Sequence, residues 1–213
     1  MPYPNATTPN ATQRHLEASE NEDAGRGLEY AYFQFEGGLQ MASLTALSES
    51  GILLPGTDKT SGFRPYFGGA AGLRFLFLTV GPRFRFAHFA DWNLWTLNLD
   101  VGWHAPFGNL ETYGTVGAGF AKVSMSNDAI ARSGEVSISG FDIRLGSGID
   151  YYLSSVFSIG AMIGIDFVRL SRGPVPASPS TDPMAPPPPA EYGQDASGFG
   201  LVFHGGPVAG LHF

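Results

Sequence analysis

The sequence predicts an all-β fold: eight antiparallel strands closed up-and-down into a barrel that crosses a membrane. Three observations carry that prediction. Apolar and polar residues alternate with period two through most of the chain between Glu29 and Phe213. Charged residues sit in mid-strand, opposite continuous apolar stripes. The connections between strands alternate between short and long.

Composition sets the bounds. A chain of 213 residues is long enough for one sizeable domain. It holds 29 Gly, 17 Phe and 8 Tyr, a mixture suited to strands with a crowded interior and a greasy exterior. A net charge of −7 gives no electrostatic basis for a nucleic-acid partner. The absence of cysteine excludes disulfides, thiolate metal sites and a cysteine nucleophile. No apolar run reaches the ~18–20 residues of a transmembrane helix, but a closed barrel also satisfies every backbone group inside a bilayer. Met1-Pro-Tyr-Pro has neither the basic nor the apolar region of a signal peptide, so an exported form is expected to be a processed one.

Residues 1–28 are polar and predict a disordered tail. Strand 1 follows over about Glu29 to Ala42, with Phe33, Phe35, Leu39 and Met41 on one face and Gln34, Glu36 and Gln40 on the other. Residues 62–90 read as two strands, about 63–73 and 76–89. The apolar run Leu73-Arg74-Phe75-Leu76-Phe77-Leu78 hides the turn somewhere between Leu73 and Pro82. Arg83 and Arg85 then alternate with Phe84 and Phe86. Strand 4, about Trp92 to Ala105, sets Trp95, Leu97, Leu99, Val101 and Trp103 against Thr96, Asn98, Asp100, Gly102 and His104. A tight turn is expected at Pro106-Phe107-Gly108-Asn109. Strand 5, about Leu110 to Ser124, is Gly-rich and weakly patterned. Strand 6 opposes Phe141, Ile143, Leu145, Ile149 and Tyr151 to Asp142, Arg144, Gly146, Gly148 and Asp150. After a short turn near Ser154-Ser155, strand 7 opposes Ile159, Ile163, Ile165 and Phe167 to Ser158, Gly160, Gly164 and Asp166. Residues 171–196, with Pro186 to Pro189, form a Pro-rich loop without a packing face. The last strand alternates Phe199, Leu201, Phe203, Leu211 and Phe213 with Gly200, His204, Gly210 and His212. Val202 and Val208 stand as exceptions.

Alternation alone is symmetric: a soluble lipocalin-like binder of an apolar ligand would show it too. Three details favour apolar residues outward. The polar face mixes Gly with Asp and Arg, as a narrow lumen requires, and Lys59 and Lys122 are the only lysines. Trp95 and Trp103 end one stripe, ~26 Å apart along a strand, or about 20 Å along the normal at a ~40° tilt. That is near the ~25 Å apolar band of a membrane barrel. The short connections (106–109, 153–156) alternate with long ones (43–61, 125–136, 171–196), although the turn near Phe89-Asp91 departs from this. The expected lumen network is Glu36, Arg74, Arg83, Arg85, Asp100, Asp142, Arg144, Asp150, Asp166 and His204, with Arg64 a further basic member. Each charge there needs a partner. Trp95, Trp103, Tyr151 and Phe213 are the expected membrane girdle.

A terminal strand closing on Phe213 resembles the last strand of small bacterial outer-membrane β-barrels of the OmpA transmembrane domain and OmpX type. The resemblance spans about residues 29–213. It implies an outer-membrane location, periplasmic termini, external long loops and outer-membrane lipid as surroundings. It also implies a barrel-assembly machinery that reads the C-terminal strand. Members of that group are anchors, adhesion and host-interaction proteins, and a few lipid-modifying enzymes. The expected role is accordingly non-enzymatic: structural, or surface interaction with an extracellular or envelope protein through the loops. No cofactor, metal or catalytic residue is expected. The alternative is a lipid-modifying hydrolase, in which Ser158 and His204, facing the same way on neighbouring strands, would be the pair to examine.

Overall fold

The computed structural model describes residues 29–43, 61–89, 92–125, 138–174 and 195–213. The tail 1–28, Lys59 and the Pro186–Pro189 run lie outside the described residues. Eight strands follow in chain order: β1 (Ala31–Ser43), β2 (Ser61–Phe75), β3 (Leu78–His88), β4 (Trp92–Phe107), β5 (Leu110–Met125), β6 (Ile138–Tyr152), β7 (Phe157–Arg172) and β8 (Ala196–His212). Each pairs antiparallel with the next, and β8 pairs with β1, so the sheet closes as an up-and-down barrel. The ends are stitched together where Phe213 O accepts from Tyr30 N at 2.6 Å and from Ala31 N at 3.0 Å.

The register fixes the barrel's dimensions. Pairing runs from Phe141 through Phe120, Leu97, Phe84, Gly69, Phe35, Ala209 and Ile159, and returns to β6 at Tyr151, ten residues along the strand. Eight strands with that stagger tilt by ~41° and enclose a cylinder of ~8 Å radius, room for side chains and little else.

The faces are inverted relative to a soluble barrel. Outward positions carry Phe35 (62% exposed), Phe67, Leu99, Phe120 and Ile163 (69%), while Glu36, Asp142, Arg144 and Asp166 are buried inside. Such an exterior would aggregate in water and is suited to hydrocarbon. Towards the end away from the termini the outward face turns polar. There Asn93 succeeds Trp95, Lys122 succeeds Phe120, and Ser139 succeeds Phe141.

The region 62–90 holds two strands joined by a two-residue turn, Leu76-Phe77. Leu76 adopts a left-handed φ of 56°, which disfavours a side chain. Its carbonyl is held there by Arg74, whose Nε donates to it at 3.1 Å. β4 continues through Pro106 and Phe107, so the expected four-residue turn narrows to Gly108-Asn109. Gly108 takes φ 65°, natural for glycine. The expected Pro-rich loop is also trimmed. Ser171 and Arg172 pair with Ser197 and Ala196, because the ladder continues wherever a facing backbone is available.

Two of the three tryptophans, Trp95 and Trp103, face outward, whereas Trp92 is 1% exposed and points into the barrel. In bilayers of brominated lipid, the fluorescence of a Trp95→Phe/Trp103→Phe variant should resist quenching, and that of Trp92→Phe should be strongly quenched. Equal quenching of the two would reverse the faces.

Candidate functional site: a filled barrel lumen

The lumen is built from a pairing rule between neighbouring strands. A long polar side chain on one strand lies over a glycine on the next: Asp100 over Gly117, His204 over Gly164, Tyr113 over Gly148 and Asp150 over Gly160. A Cβ on any of these glycines would run into the side chain that covers it. In a cylinder this narrow, glycine supplies the volume that the charged groups fill.

At the end carrying the termini, Arg74 is the hub. Its guanidinium meets Glu111 at 2.7 Å and Glu29 at 2.9 Å, and donates to the Tyr152 hydroxyl at 3.1 Å. Two hydroxyl–imidazole–carboxylate relays feed this hub. His104 stands 3.1 Å from the Thr79 hydroxyl and 2.7 Å from Glu111. His212 stands 2.9 Å from the Ser158 hydroxyl and 3.4 Å from Glu29. The sequence paired Ser158 with His204; the register instead brings His212 to it, because His212 and Ser158 flank Gly210 at the end of β8. The second relay has the connectivity of a hydrolase triad, but Ser158 is completely buried and cannot meet a substrate while the barrel is closed.

In the middle, Arg83 bonds Glu36 through one terminal nitrogen, Gln34 through the other at 2.7 Å, and Asp100 through Nε at 2.7 Å. Arg85 meets Asp166 at 2.8 Å and approaches Glu36 at 3.6 Å. Arg144 approaches the same Glu36 at 3.8 Å, and His204 lies 3.5 Å from Asp166. Asn98 donates to Asp142 at 2.7 Å. Tyr66 packs edge-on against His204 and under the Arg85 guanidinium.

Towards the opposite end the filling becomes apolar. Ala42, Tyr66, Phe89, Trp92, Leu94, Val123, Ile138, Val168, Leu170 and Val202 form one buried cluster. Phe89 and Trp92, on either side of the short β3–β4 connection, turn inward and stack at 3.7 Å between ring centres. A uniformly polar lumen, expected from the sequence, is therefore corrected. Val202 and Val208, the apparent exceptions on β8, both point inward and are buried.

The structure places all ten expected lumen residues inside and buried, from Glu36 on β1 to His204 on β8. Nine of them take part in the contacts above; the tenth, Asp150, lines a small cavity instead. Arg64 is only partly buried, at the far end of β2. Sequence reasoning missed Glu111, Tyr113, Tyr152, Glu29 and Arg172. On β5 the signal was present as parity: Glu111, Tyr113, Thr115 and Ala121 share one face, but the intervening glycines blurred it. Of the expected girdle, Trp103, Tyr151 and Phe213 are exposed on the outside near the termini, and Trp95 is half-buried on the outside towards the other end.

An apolar exterior around a charged, sealed interior defines the chain as a transmembrane β-barrel. Residues 17–203 match the family model described as the outer membrane protein beta-barrel domain, and the chain belongs to that family, whose members reside in the bacterial outer membrane. The fold is similar to that of Neisserial surface protein A, with a TM-score of 0.58 and 10% identity over 86% of this chain and 97% of that one. The N-terminal barrel of Pseudomonas aeruginosa OprF aligns with a TM-score of 0.46 and 14% identity over 83% and 99% of the two chains. Ail of Yersinia pestis, solved with the heparin analogue sucrose octasulfate, aligns with 0.48 and 14% over 88% and 100%. No curated protein sequence matches the chain.

Arg83 serves three partners at once, so Arg83→Ala leaves Glu36 and Asp100 buried beside a void. The expected cost is about 3–5 kcal/mol, read from urea unfolding in lipid vesicles. Combining it with Glu36→Gln should recover part of that loss, since the two changes share one interaction.

Proposed function

We propose that this protein is a non-catalytic outer-membrane anchor: a sealed barrel that presents its long connections at the cell surface to an extracellular or envelope partner. The observation that carries this reading is the lumen, occupied from end to end. Ion pairs centred on Arg74 and Arg83 fill the half nearer the termini, and the Phe89–Trp92 cluster fills the rest. A solute would have to displace both. On this reading a partner meets the long connections, residues 44–60, 126–137 and 175–194. On this reading the termini are periplasmic, outer-membrane lipid covers the outward stripes, and the assembly machinery reads β8 through the exposed Phe213.

The test has two parts. Purified barrel in planar bilayers should give no stable conductance, and replacing each long connection by a short turn should abolish adhesion of expressing cells to host-surface preparations while leaving heat-modifiable mobility intact. Steady ion currents, or adhesion unaffected by all three replacements, would overturn the reading.

The Ser158–His212–Glu29 relay keeps a second reading specific: a lipid-modifying hydrolase of the membrane. Ser158→Ala should leave the acyl composition of outer-membrane lipid unchanged if the relay is structural. A change in acyl chain number that the substitution removes would establish the hydrolase instead.

A further inference from the structure

On β4 the outward wall is faced with large side chains, Leu97, Leu99 and Val101 among them. Over β1 and β8 it is recessed. Gly37, Pro207 and Ala209 floor an open groove of about 640 Å³, with Phe35 and Ile159 on its rim and Tyr151 at its foot. The single charged residue of the lining, Glu36, turns its carboxylate into the lumen to meet Arg83. What the groove shows to the outside is therefore apolar.

The recess coincides with an interruption of the sheet. β1 and β8 pair at Glu36–Val208 and again at Leu39–Gly205, but Gly37 and Gly38 drop out of the ladder opposite Gly206 and Pro207. Pro207 has no N–H to give. On the lumen side, Gly38 and Gly206 press so close that a Cβ on either would run into the backbone of the other strand. The wall here is bare backbone on its inner face and recessed on its outer one.

The register sets the direction of the groove. Tyr151 pairs with Ile159, Ile159 with Ala209 and Ala209 with Phe35, and Gly37 lies two residues farther along β1. At a tilt of ~41° that path climbs about 14 Å along the membrane normal, roughly half of the ~25 Å apolar band. The groove thus starts in the girdle nearer the termini, at Tyr151, and ends near mid-membrane at Gly37. Its span is that of one leaflet.

We propose that this groove holds one acyl chain of a phospholipid from the leaflet nearer the termini, with the polar end of the lipid at the exposed Tyr151. Continuity identifies the occupant: the groove opens on the same outward wall that faces hydrocarbon in this family of outer-membrane barrels. A second barrel would present a convex wall and leave the recess empty, whereas a flexible chain fills it. The inference rests on the outward stripes being covered by lipid. It goes further in making one lipid chain a ligand held at a fixed place, where it packs over the interrupted part of the β1–β8 seam.

The experiment reconstitutes the full chain in vesicles of neutral phospholipid containing a small fraction with a photoactivatable diazirine midway along one acyl chain. After irradiation, labelled peptides are mapped by mass spectrometry. Label should concentrate around Gly37, Ile159 and Ala209, several-fold above Leu99 and Val101 on β4. Gly37→Leu fills the upper groove, and its Cβ meets nothing nearer than the Tyr66 carbonyl oxygen at 3.6 Å. It should cut the label in the groove several-fold and leave that on β4 unchanged, with heat-modifiable mobility intact. Ala209→Leu fills the lower groove and serves as the test should Gly37→Leu fail to fold. In native mass spectrometry after detergent release, the wild-type monomer should retain one phospholipid that the variant loses. Label spread evenly over the outward wall, or undiminished in the folded variant, overturns the proposal while leaving the lipid-covered wall in place. A wall without label overturns that underlying reading as well. A dimer that Gly37→Leu dissociates would assign the groove to a second copy and overturn the lipid.

Discussion

Everything in this barrel depends on enclosing charge within a cylinder of ~8 Å radius. A carboxylate or guanidinium inside such a space has no bulk water to fall back on, so each must find a partner across the lumen. That requirement dictates the rest. Arginines reach from β2 and β3 to carboxylates on β1, β4, β5 and β7, and all of these pairs except Arg83–Asp100 tie strands that are not neighbours in the sheet. Glycines appear on the adjacent strand beneath several of these side chains, as Gly117 does beneath Asp100 and Gly164 beneath His204. The backbone ladder closes the wall; the ion pairs join its opposite sides.

The division of the lumen into a charged part and an apolar part follows from the same constraint. Arginines reach into the half nearer the termini from β2 and β3, and there His104 and His212 extend the hydrogen bonding to hydroxyls on the wall. Farther along, aromatic and branched side chains fill most of the cross-section, the Phe89–Trp92 stack among them, and the buried Arg172 donates to the Gly173 carbonyl. A barrel filled in this way has two different reasons to be impermeable, one electrostatic and one steric.

Much of the fold was legible in the sequence because each clean strand carries its own signature. The Trp95-to-Trp103 stripe and the Phe141-to-Tyr151 stripe needed no partner to be read. The turn at Leu76-Phe77 was hidden because both faces of the chain are apolar where it reverses, with Phe75, Leu76 and Phe77 all exposed on the outside. The lumen residues were found by parity, which is local. Their partners were not, because pairing depends on register around a closed sheet. Hence Ser158 was matched with the wrong histidine, and Glu111, next to a turn on a Gly-rich strand, went unnoticed. Val202 looked like a break in the pattern only because the apolar part of the interior could not be foreseen from alternation.

The outward wall has a consequence for descent. Its only task is to be apolar, so Phe, Leu, Ile and Val can replace one another there with little loss, and the surrounding lipid adapts to each change. The lumen is the opposite: a charged side chain and the glycine beneath it must change together or not at all. Half of each strand is therefore free to drift while the other half drifts in coupled steps. Ten per cent identity over 97% of Neisserial surface protein A shows that the same fold can be built with few residues in common.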